Sequence, residues 1–402
     1  MNADIITFIL FVVLMSIFLY VKRKNLHIQK LLFPVFYLLI YRTSLGLKLM
    51  DKISHKYREW VKLFGYICSG FGFLGMAYIS YGVLDIMVRF FISPTTTETG
   101  FALVLPGTSI PGVGYLSFWF WIIPIVLLAI VHEFSHGVVA RAHDVKVKSS
   151  GFAFLGILAP IIPAAFVEPD EKELEKKEDI VQYSVFSAGP LSNIIFAFLL
   201  LMFLPYVADF SGNTLAPFED QITYPVGFSV DILNESLPSG LAGMRGHVLI
   251  DSYNHEKIDN ANVFIKDVSC REAGEVISFG SGGDVYSVEA IGHPDDGKRA
   301  FVGVHNIKNE RRVRPEYESI KGPYYWFKDL FKWLFLLNYF IGLINLFPIY
   351  ITDGARMLRV AIGKLVKNQE KAIKVWSFIN MMFLFLILIG IVSTYLKKVG
   401  FF

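Results

Sequence analysis

The chain has 402 residues and only two cysteines, Cys68 and Cys270. Two cysteines are too few for a disulfide framework or a zinc site built from thiolates, so we expect both thiols to be free. Charged residues are also scarce at 18%, whereas a soluble globular protein usually has about a quarter. Hydrophobic residues reach 54%. The composition therefore indicates a membrane protein, and we expect a lipid bilayer as partner and no nucleic acid.

Six apolar runs are long enough to cross about 30 Å of hydrocarbon. They predict transmembrane helices near 4–21, 62–92, 117–140, 183–206, 327–347 and 375–396. The first run lacks the basic start and small-residue cleavage site of a signal peptide, so we expect it to be retained. The predicted fold class is a polytopic α-helical membrane protein with about six transmembrane helices.

The distribution of Lys and Arg predicts the orientation, because these residues are enriched in cytoplasmic loops. They crowd the loops after the first, third and fifth runs, within 22–62, 141–148 and 356–374. These loops share one side if the N-terminus lies outside. We therefore expect a multi-pass protein of the cell membrane with an extracytoplasmic N-terminus, although Lys397 and Lys398 depart from this pattern.

Two shorter apolar segments do not fit the set of spans. Residues 31–41, LLFPVFYLLIY, are too short to cross and have basic flanks, which predicts an interfacial or re-entrant segment. Residues 151–167, GFAFLGILAPIIPAAFV, contain two prolines and have both ends on the predicted cytoplasmic side. We expect this second segment to enter the membrane and return. Irregular backbone at membrane depth is tolerated only where it lies against protein or lines a watery cavity.

The sequence HEFSH at 132–136 lies at the inner end of the third run. Two histidines four residues apart share one face of a helix, so His132 and His136 can bind one metal ion. Glu133 lies beside them and can take a proton from water activated by such an ion. These residues precede Arg141, which marks the membrane interface, and lie roughly 8–14 Å below it. Ionisable groups at this depth are costly, so they are candidates for function.

The sequence NLFPIYITDGAR at 345–356 closes the fifth run and supplies a carboxylate at similar depth. Pro348 ends the preceding helix. Asp353 comes next, three residues before Arg356 at the basic interface. Two imidazoles and one carboxylate, with one position left for water, are typical of a catalytic zinc site. Two alternatives stand beside this interpretation. HExxH arises by chance in about one chain in a hundred, and an Asp after a broken helix is often an N-cap.

Between 207 and 325 the composition changes to that of a soluble domain with short strands and Gly and Asp turns. A Gly-Leu stretch that begins a short helix and is followed by a strand resembles a PDZ domain. His247 replaces the usual Asp, and no carboxylate-binding loop is recognisable. The alternative is a β-rich insert without a recognition role. On the predicted topology this PDZ-like insert is extracytoplasmic.

The motifs HEFSH, AFVEP, SAGPLSN and NLFPIYITDG, in this order, resemble those of the site-2 protease family of intramembrane zinc metalloproteases. The resemblance covers about residues 60–396, and the short chain with a single insert is more similar to archaeal or bacterial members. It implies one Zn²⁺ per chain, with His132, His136 and Asp353 as ligands and Glu133 as general base.

The resemblance implies an endopeptidase that cleaves a peptide bond within or near a transmembrane segment of a membrane-protein substrate, as in regulated intramembrane proteolysis. Asn345 would donate a hydrogen bond to the substrate carbonyl or its oxyanion. Asn193 would help to hold the substrate strand or the pocket, unless it makes an ordinary interhelical hydrogen bond. The alternating stretch 145–154 would form a surface β-hairpin that extends the substrate by strand addition. The alternative function is a non-proteolytic zinc-binding membrane protein, either a metal carrier or an inactive scaffold.

Four regions follow from these patterns. Residues 1–60 would hold a transmembrane helix and a cytoplasmic interfacial segment, and residues 61–206 the first part of a catalytic membrane core. Residues 207–325 would be the insert, and residues 326–402 the second part of the core with the last transmembrane helix.

Overall fold

The computed structural model describes residues 3–32, 36–93, 101, 104–110, 113–157, 159–207, 217–294 and 297–398. The chain divides into two compact units. The membrane unit comprises Met1–Met202 and Leu330–Phe402, and the insert unit comprises Phe203–Asp329. The bounds of the insert unit lie close to the range 207–325 expected from the sequence.

Helices and strands follow one another along the described residues. The first half contains α1 (Ala3–Val21), β1 (Leu26–Leu32), β2 (Phe36–Thr43), α2 (Leu47–Lys56), α3 (Arg58–Ile92), β3 (Thr108–Ile110), β4 (Gly114–Leu116), α4 (Phe118–Ala142), β5 (Val147–Ile157), β6 (Ala159–Pro169), α5 (Glu171–Leu174) and α6 (Asp179–Val207). The insert contains α7 (Pro217–Ile222), β7 (Thr223–Ile232), α8 (Pro238–Leu241), β8 (His247–Ile250), β9 (Ser252–Tyr253), β10 (Glu256–Lys257), α9 (Ala261–Cys270), β11 (Val276–Ser281), β12 (Asp284–Glu289), β13 (Ile291–Gly292), β14 (Ala300–Phe301) and β15 (Val304–Val313). The last part contains α10 (Lys321–Leu346), α11 (Asp353–Leu365) and α12 (Gln369–Lys398).

The six predicted spans are confirmed as helices. Among the described residues, six helices are long and apolar enough to cross a membrane, and they are α1, α3, α4, α6, α10 and α12. Five of them begin earlier than predicted, as α6 does at Asp179 instead of 183. Hydropathy detects only the part of a helix in hydrocarbon, whereas a polar first turn continues it into the solvated interface. The chain is therefore an integral membrane protein.

Helices α4 and α6 form the centre of the membrane unit. In their apolar stretches 44% and 56% of residues are buried, against 6% for α1 and 17% for α12. The apolar cluster at this centre joins residues of α4 and α6, such as Val139 and Ala188, to Met357 of α11. A polar site between these helices is thereby shielded from lipid.

The membrane unit also contains a four-stranded antiparallel sheet with the order β1-β2-β5-β6. This sheet gives the conformation of two segments whose backbone structure the sequence did not specify. Residues 31–41, expected as an interfacial or re-entrant segment, belong to the hairpin of β1 and β2, apart from 33–35, which lie outside the described residues. The surface hairpin expected at 145–154 and the re-entrant segment expected at 151–167 are one long hairpin, β5 with β6. Local hydropathy cannot reveal this arrangement, because β2 pairs with a strand more than a hundred residues away.

The insert unit is rich in β-structure. Its sheets have the orders β15-β7-β8 and β10-β9-β11-β12, and β13 pairs with β14. The apolar core of the unit is aromatic at its centre, where Phe228 of β7 stacks on Phe264 of α9 with ring centroids 5.1 Å apart. Phe279 of β11 and Tyr253 of β9 complete this cluster. The insert is thus a separate β-rich domain with one helix packed into its core.

Candidate metal centre and active site

Helix α4 carries the HEFSH sequence into the centre of the membrane unit. The Ser117 hydroxyl caps the start of this helix by accepting a hydrogen bond from the Phe120 N–H at 3.4 Å. His132 and His136 lie one turn apart, each 8% exposed, and their Nε2 atoms are 3.1 Å from each other. The two rings therefore face one point in the protein interior, as the four-residue spacing predicts.

Asp353 meets these histidines at the first turn of α11. Its Oδ2 atom lies 3.1 Å from Nε2 of His132 and 3.3 Å from Nε2 of His136. Glycine is required next in the chain, because a Cβ at Gly354 would collide with the carbonyl oxygen of Leu346 at the end of α10. The close contact between the ends of α10 and α11 thus places the carboxylate.

These three side chains fit a zinc ion. Their ligand atoms all lie within 4.8 Å of one another and form a triangle with sides of 3.1–3.3 Å. Nitrogen and oxygen ligands of tetrahedral zinc at 2.0–2.2 Å are about 3.3–3.6 Å apart. The observed spacing is within a few tenths of an ångström of that value. Three ligands on one side of an ion leave a fourth position for water or substrate.

In both imidazoles the outer nitrogen, Nδ1, lies on the far side of the ring from the metal position and contacts a residue of α6. Nδ1 of His136 lies 2.6 Å from the carbonyl oxygen of Val185, which can only accept, so the proton of this ring resides on Nδ1. Nδ1 of His132 lies 3.3 Å from the side-chain amide of Asn193. The nearer atom is the amide nitrogen, whereas the buried Oδ1 of Asn193 has no partner among the described residues, so rotation of the amide by 180° would satisfy this oxygen with the N–H of His132. Both contacts thus leave the Nε2 lone pairs directed at the metal position, which is how zinc-binding histidines are usually held.

Gly189 of α6 makes room for the metal position. A Cβ on this glycine would lie 2.8 Å from Nε2 of His132 and would also collide with Nε2 of His136. Any larger residue would therefore fill the space in front of both ligand atoms. In the sequence this glycine is marked only as part of SAGPLSN, and no role is predicted for it. The available signal was a Gly-Pro pair inside an apolar helical run, where glycine costs about 1 kcal/mol relative to alanine.

Glu133 is hydrogen-bonded to strand β6. Its Oε2 atom accepts a hydrogen bond from the backbone N–H of Val167 at 2.8 Å. The residue directly follows His132 in α4, and its second carboxylate oxygen is not used in this hydrogen bond. The structure thus combines a candidate ligand triad with an adjacent carboxylate, as the motif predicts.

Asn345, the other predicted site residue, has no comparable contact. It lies half-buried in the last turn of α10, and its side chain makes no hydrogen bond to the residues that the structure describes. The structure therefore brings together His132, Glu133, His136, Asp353 and Asn193, while the role predicted for Asn345 stays a prediction.

Comparison with known proteins places this arrangement in a family. Residues 120–387, which are more than half of the chain, match the model of peptidase family M50, so the chain belongs to this family. This is the site-2 protease family, and the resemblance seen in the motifs is confirmed. Membership indicates a metallopeptidase, and peptidases of family M50 are typically zinc-dependent.

The chain is also similar to an uncharacterised protein of the archaeon Methanocaldococcus jannaschii. The two sequences are 26% identical over 381 residues, which cover 92% of this chain and 89% of that protein. Because it covers 92% of the chain, the similarity extends beyond residues 120–387 over most of the N-terminal region.

Proposed function

We propose that this protein is an intramembrane zinc metalloprotease, which hydrolyses a peptide bond within or near a transmembrane segment of a membrane-protein substrate. One observation carries the proposal. His132, His136 and Asp353 converge on one point with Glu133 beside them, and this point lies among helices that are apolar enough to cross a membrane. A metal carrier or a scaffold has no use for the carboxylate next to the ligand triad.

The proposed chemistry divides between the ion and the chain. One Zn²⁺, held by His132, His136 and Asp353, supplies the positive charge that polarises a carbonyl and acidifies water. Glu133 takes a proton from the attacking water and returns it to the leaving amine. Asn193 holds the ring of His132 through its outer nitrogen, which keeps the ligand atom in place.

The substrate must be extended at the scissile bond, because a helix hides each carbonyl in its own hydrogen bonds. Strand β6 is the edge of the four-stranded sheet and lies beside Glu133 of α4. We propose that β5 and β6 are the hairpin that extends the substrate by strand addition. Asn345, whose side chain makes no hydrogen bond to the described residues, would donate to the scissile carbonyl.

The insert is proposed to be a PDZ-like domain. A cavity of about 240 Å³ lies between helix α9 and the segment from β14 to β15. Phe264, Val268, Phe301 and Ile307 line it, which suits an apolar peptide side chain. Titration with peptides that end in an apolar carboxyl-terminal residue tests this role. Binding that is lost in Val268→Asp supports recognition, and no binding by the wild type favours an insert without it.

The proposed orientation places the N-terminus and the insert outside the cell membrane and the active site toward the cytoplasm. It is supported by the basic residues of the loops after the first, third and fifth spans. Water would then reach the metal centre from the cytoplasmic side.

The decisive experiment is to purify the protein in detergent and to measure zinc content and cleavage of a model transmembrane substrate. Glu133→Gln should retain about one zinc per chain and lose at least about 100-fold in cleavage rate, because it removes only the proton acceptor. Asp353→Asn should lose zinc and activity together. Zinc binding without any cleavage by the wild type would favour a carrier or a scaffold, and absence of zinc would overturn the metal centre.

A further inference from the structure

The backbone N–H groups of strand β6 alternate between the side that faces β5 and the opposite, outward side. Successive N–H groups of a strand point to opposite sides. The N–H of Asp170, just beyond β6, donates toward the β5 side, to the carbonyl oxygen of Lys146 at 2.7 Å. The N–H of Val167 points the other way, to Glu133. Residues 163, 165, 167 and 169 therefore share the outward side of the strand.

Proline supports this assignment. Residues 163 and 169 are both proline, which has no N–H and is tolerated in a sheet only where that position faces away from the ladder. Over 163–169, the outward amides are then those of Ala165 and Val167. The amide of Val167 is occupied by Glu133, and that of Ala165 has no partner among the described residues.

We propose that the backbone amide of Val167 is the positioning group of the catalytic carboxylate. By holding Oε2 of Glu133, it sets the side-chain conformation that leaves the other carboxylate oxygen for the proton of the attacking water. The neighbouring outward amide, that of Ala165, pairs with the substrate backbone. This inference rests on the proposed function and deepens it.

The arrangement also fixes the substrate in relation to the base. A strand that adds to β6 can use the N–H of Ala165, but the next outward N–H along β6 is held by Glu133. The ladder between substrate and enzyme therefore stops at the catalytic carboxylate. The substrate residue paired with Ala165 stands at a fixed offset from the bond that is cleaved, whatever its side chain.

Side chains hold β6 in place independently of this amide. The side chain of Val167 packs into the apolar cluster around α4, close to Gly137. The carboxylate of Glu168 accepts hydrogen bonds from Ser149 at 2.6 Å and Arg42 at 3.2 Å. Removal of one outward N–H is therefore expected to change the position of Glu133 without displacing the strand.

Val167→Pro removes the N–H on a side of the strand that already carries proline at 163 and 169. We expect kcat to fall by about 10–100-fold, as for other groups that orient catalytic residues, with KM and zinc content unchanged. Val167→Ala is the control, because it also removes the branched side chain but keeps the N–H, and it should retain kcat. Ala165→Pro should instead raise KM by about fivefold, the effect of one lost hydrogen bond, with kcat little changed.

A second pair of variants guards against misfolding of the proline proteins. Replacement of Val167 by its α-hydroxy acid through nonsense suppression turns the amide into an ester and keeps the side chain. The same replacement at Ala165 controls for the weaker carbonyl of an ester. A fall in kcat for the first ester only is the expected result. Retained kcat in it, or equal losses in Val167→Ala and Val167→Pro, would overturn the assignment to the amide.

The assay also separates this inference from the proposed function. Wild-type cleavage that is lost in Glu133→Gln establishes the protease, whatever the result at Val167. Absence of wild-type cleavage would overturn the proposed function and this inference with it.

Discussion

Thr352 caps helix α11, and the carboxylate of its neighbour Asp353 is therefore directed at the histidines of α4 instead of at the helix amides. The Thr352 hydroxyl accepts from the N–H of Ala355 at 3.4 Å and donates to the carbonyl oxygen of Ile349 at 2.8 Å. The alternative interpretation of Asp353 as an N-cap is thus wrong. One hydroxyl secures both the turn after α10 and the start of α11.

Thr352→Ala should weaken the metal centre without touching a ligand. Loss of the cap costs about 1 kcal/mol of stability, and displacement of Asp353 should lower zinc affinity by about tenfold. Thermal unfolding and zinc titration against a chelator measure the two effects. Thr352→Ser keeps the hydroxyl and should resemble the wild type. Equal zinc affinity in both variants would show that the cap does not place the carboxylate.

Gly189→Ala should abolish zinc binding. The added methyl group would lie 2.8 Å from Nε2 of His132, in the space that the ion needs. Mass spectrometry of the purified variant measures bound zinc per chain. Gly70→Ala is the control, since a Cβ on this glycine of α3 meets nothing within 4 Å. If Gly189→Ala binds zinc as Gly70→Ala does, the metal position lies elsewhere.

The membrane spans and the ligand triad were predictable from sequence because each depends on a local pattern. A run of apolar residues identifies a span, and the spacing of His132 and His136 places both on one helix face. Asp353 could be assigned to the triad because its motif and the HEFSH motif are predicted to lie at similar depth in the membrane. The four-stranded sheet of the membrane unit could not be predicted as a whole, since the pairing of β2 with β5 depends on residues far apart in sequence. A pattern along one segment does not specify its partner strand.

The contacts that hold the site residues in place were the hardest to predict from sequence. The carbonyl of Val185 and the amide of Val167 are backbone groups that every residue carries, so no residue type marks them. Asn193 was recognised as a candidate, but its partner was not, because the contact joins α6 to α4 across the membrane unit. Such contacts become visible only when the helices are placed in space.

Asn193→Ala should lower zinc affinity by about 10–100-fold, because the outer nitrogen of His132 loses its partner. Asn193→Asp keeps an acceptor for that nitrogen and should restore most of the affinity. Metal titration measures both variants. Asn380→Ala is a matched control, since Asn380 is also fully buried in a spanning helix but bonds to the carbonyl of Trp376. If Asn193→Ala and Asn380→Ala lower zinc affinity equally, then Asn193 is an ordinary interhelical contact.

Cys270 provides a natural probe of the proposed orientation. It is exposed at the end of α9 in the insert, whereas Cys68 is buried in α3, so one thiol of the folded protein is accessible to a polar reagent. A membrane-impermeant maleimide added to intact spheroplasts should label the wild type and not Cys270→Ser, because the insert is proposed to lie outside. Labelling is measured by the mobility shift of the purified chain. Labelling that requires permeabilised membranes would instead place the insert in the cytoplasm, and with it the loop after the second span.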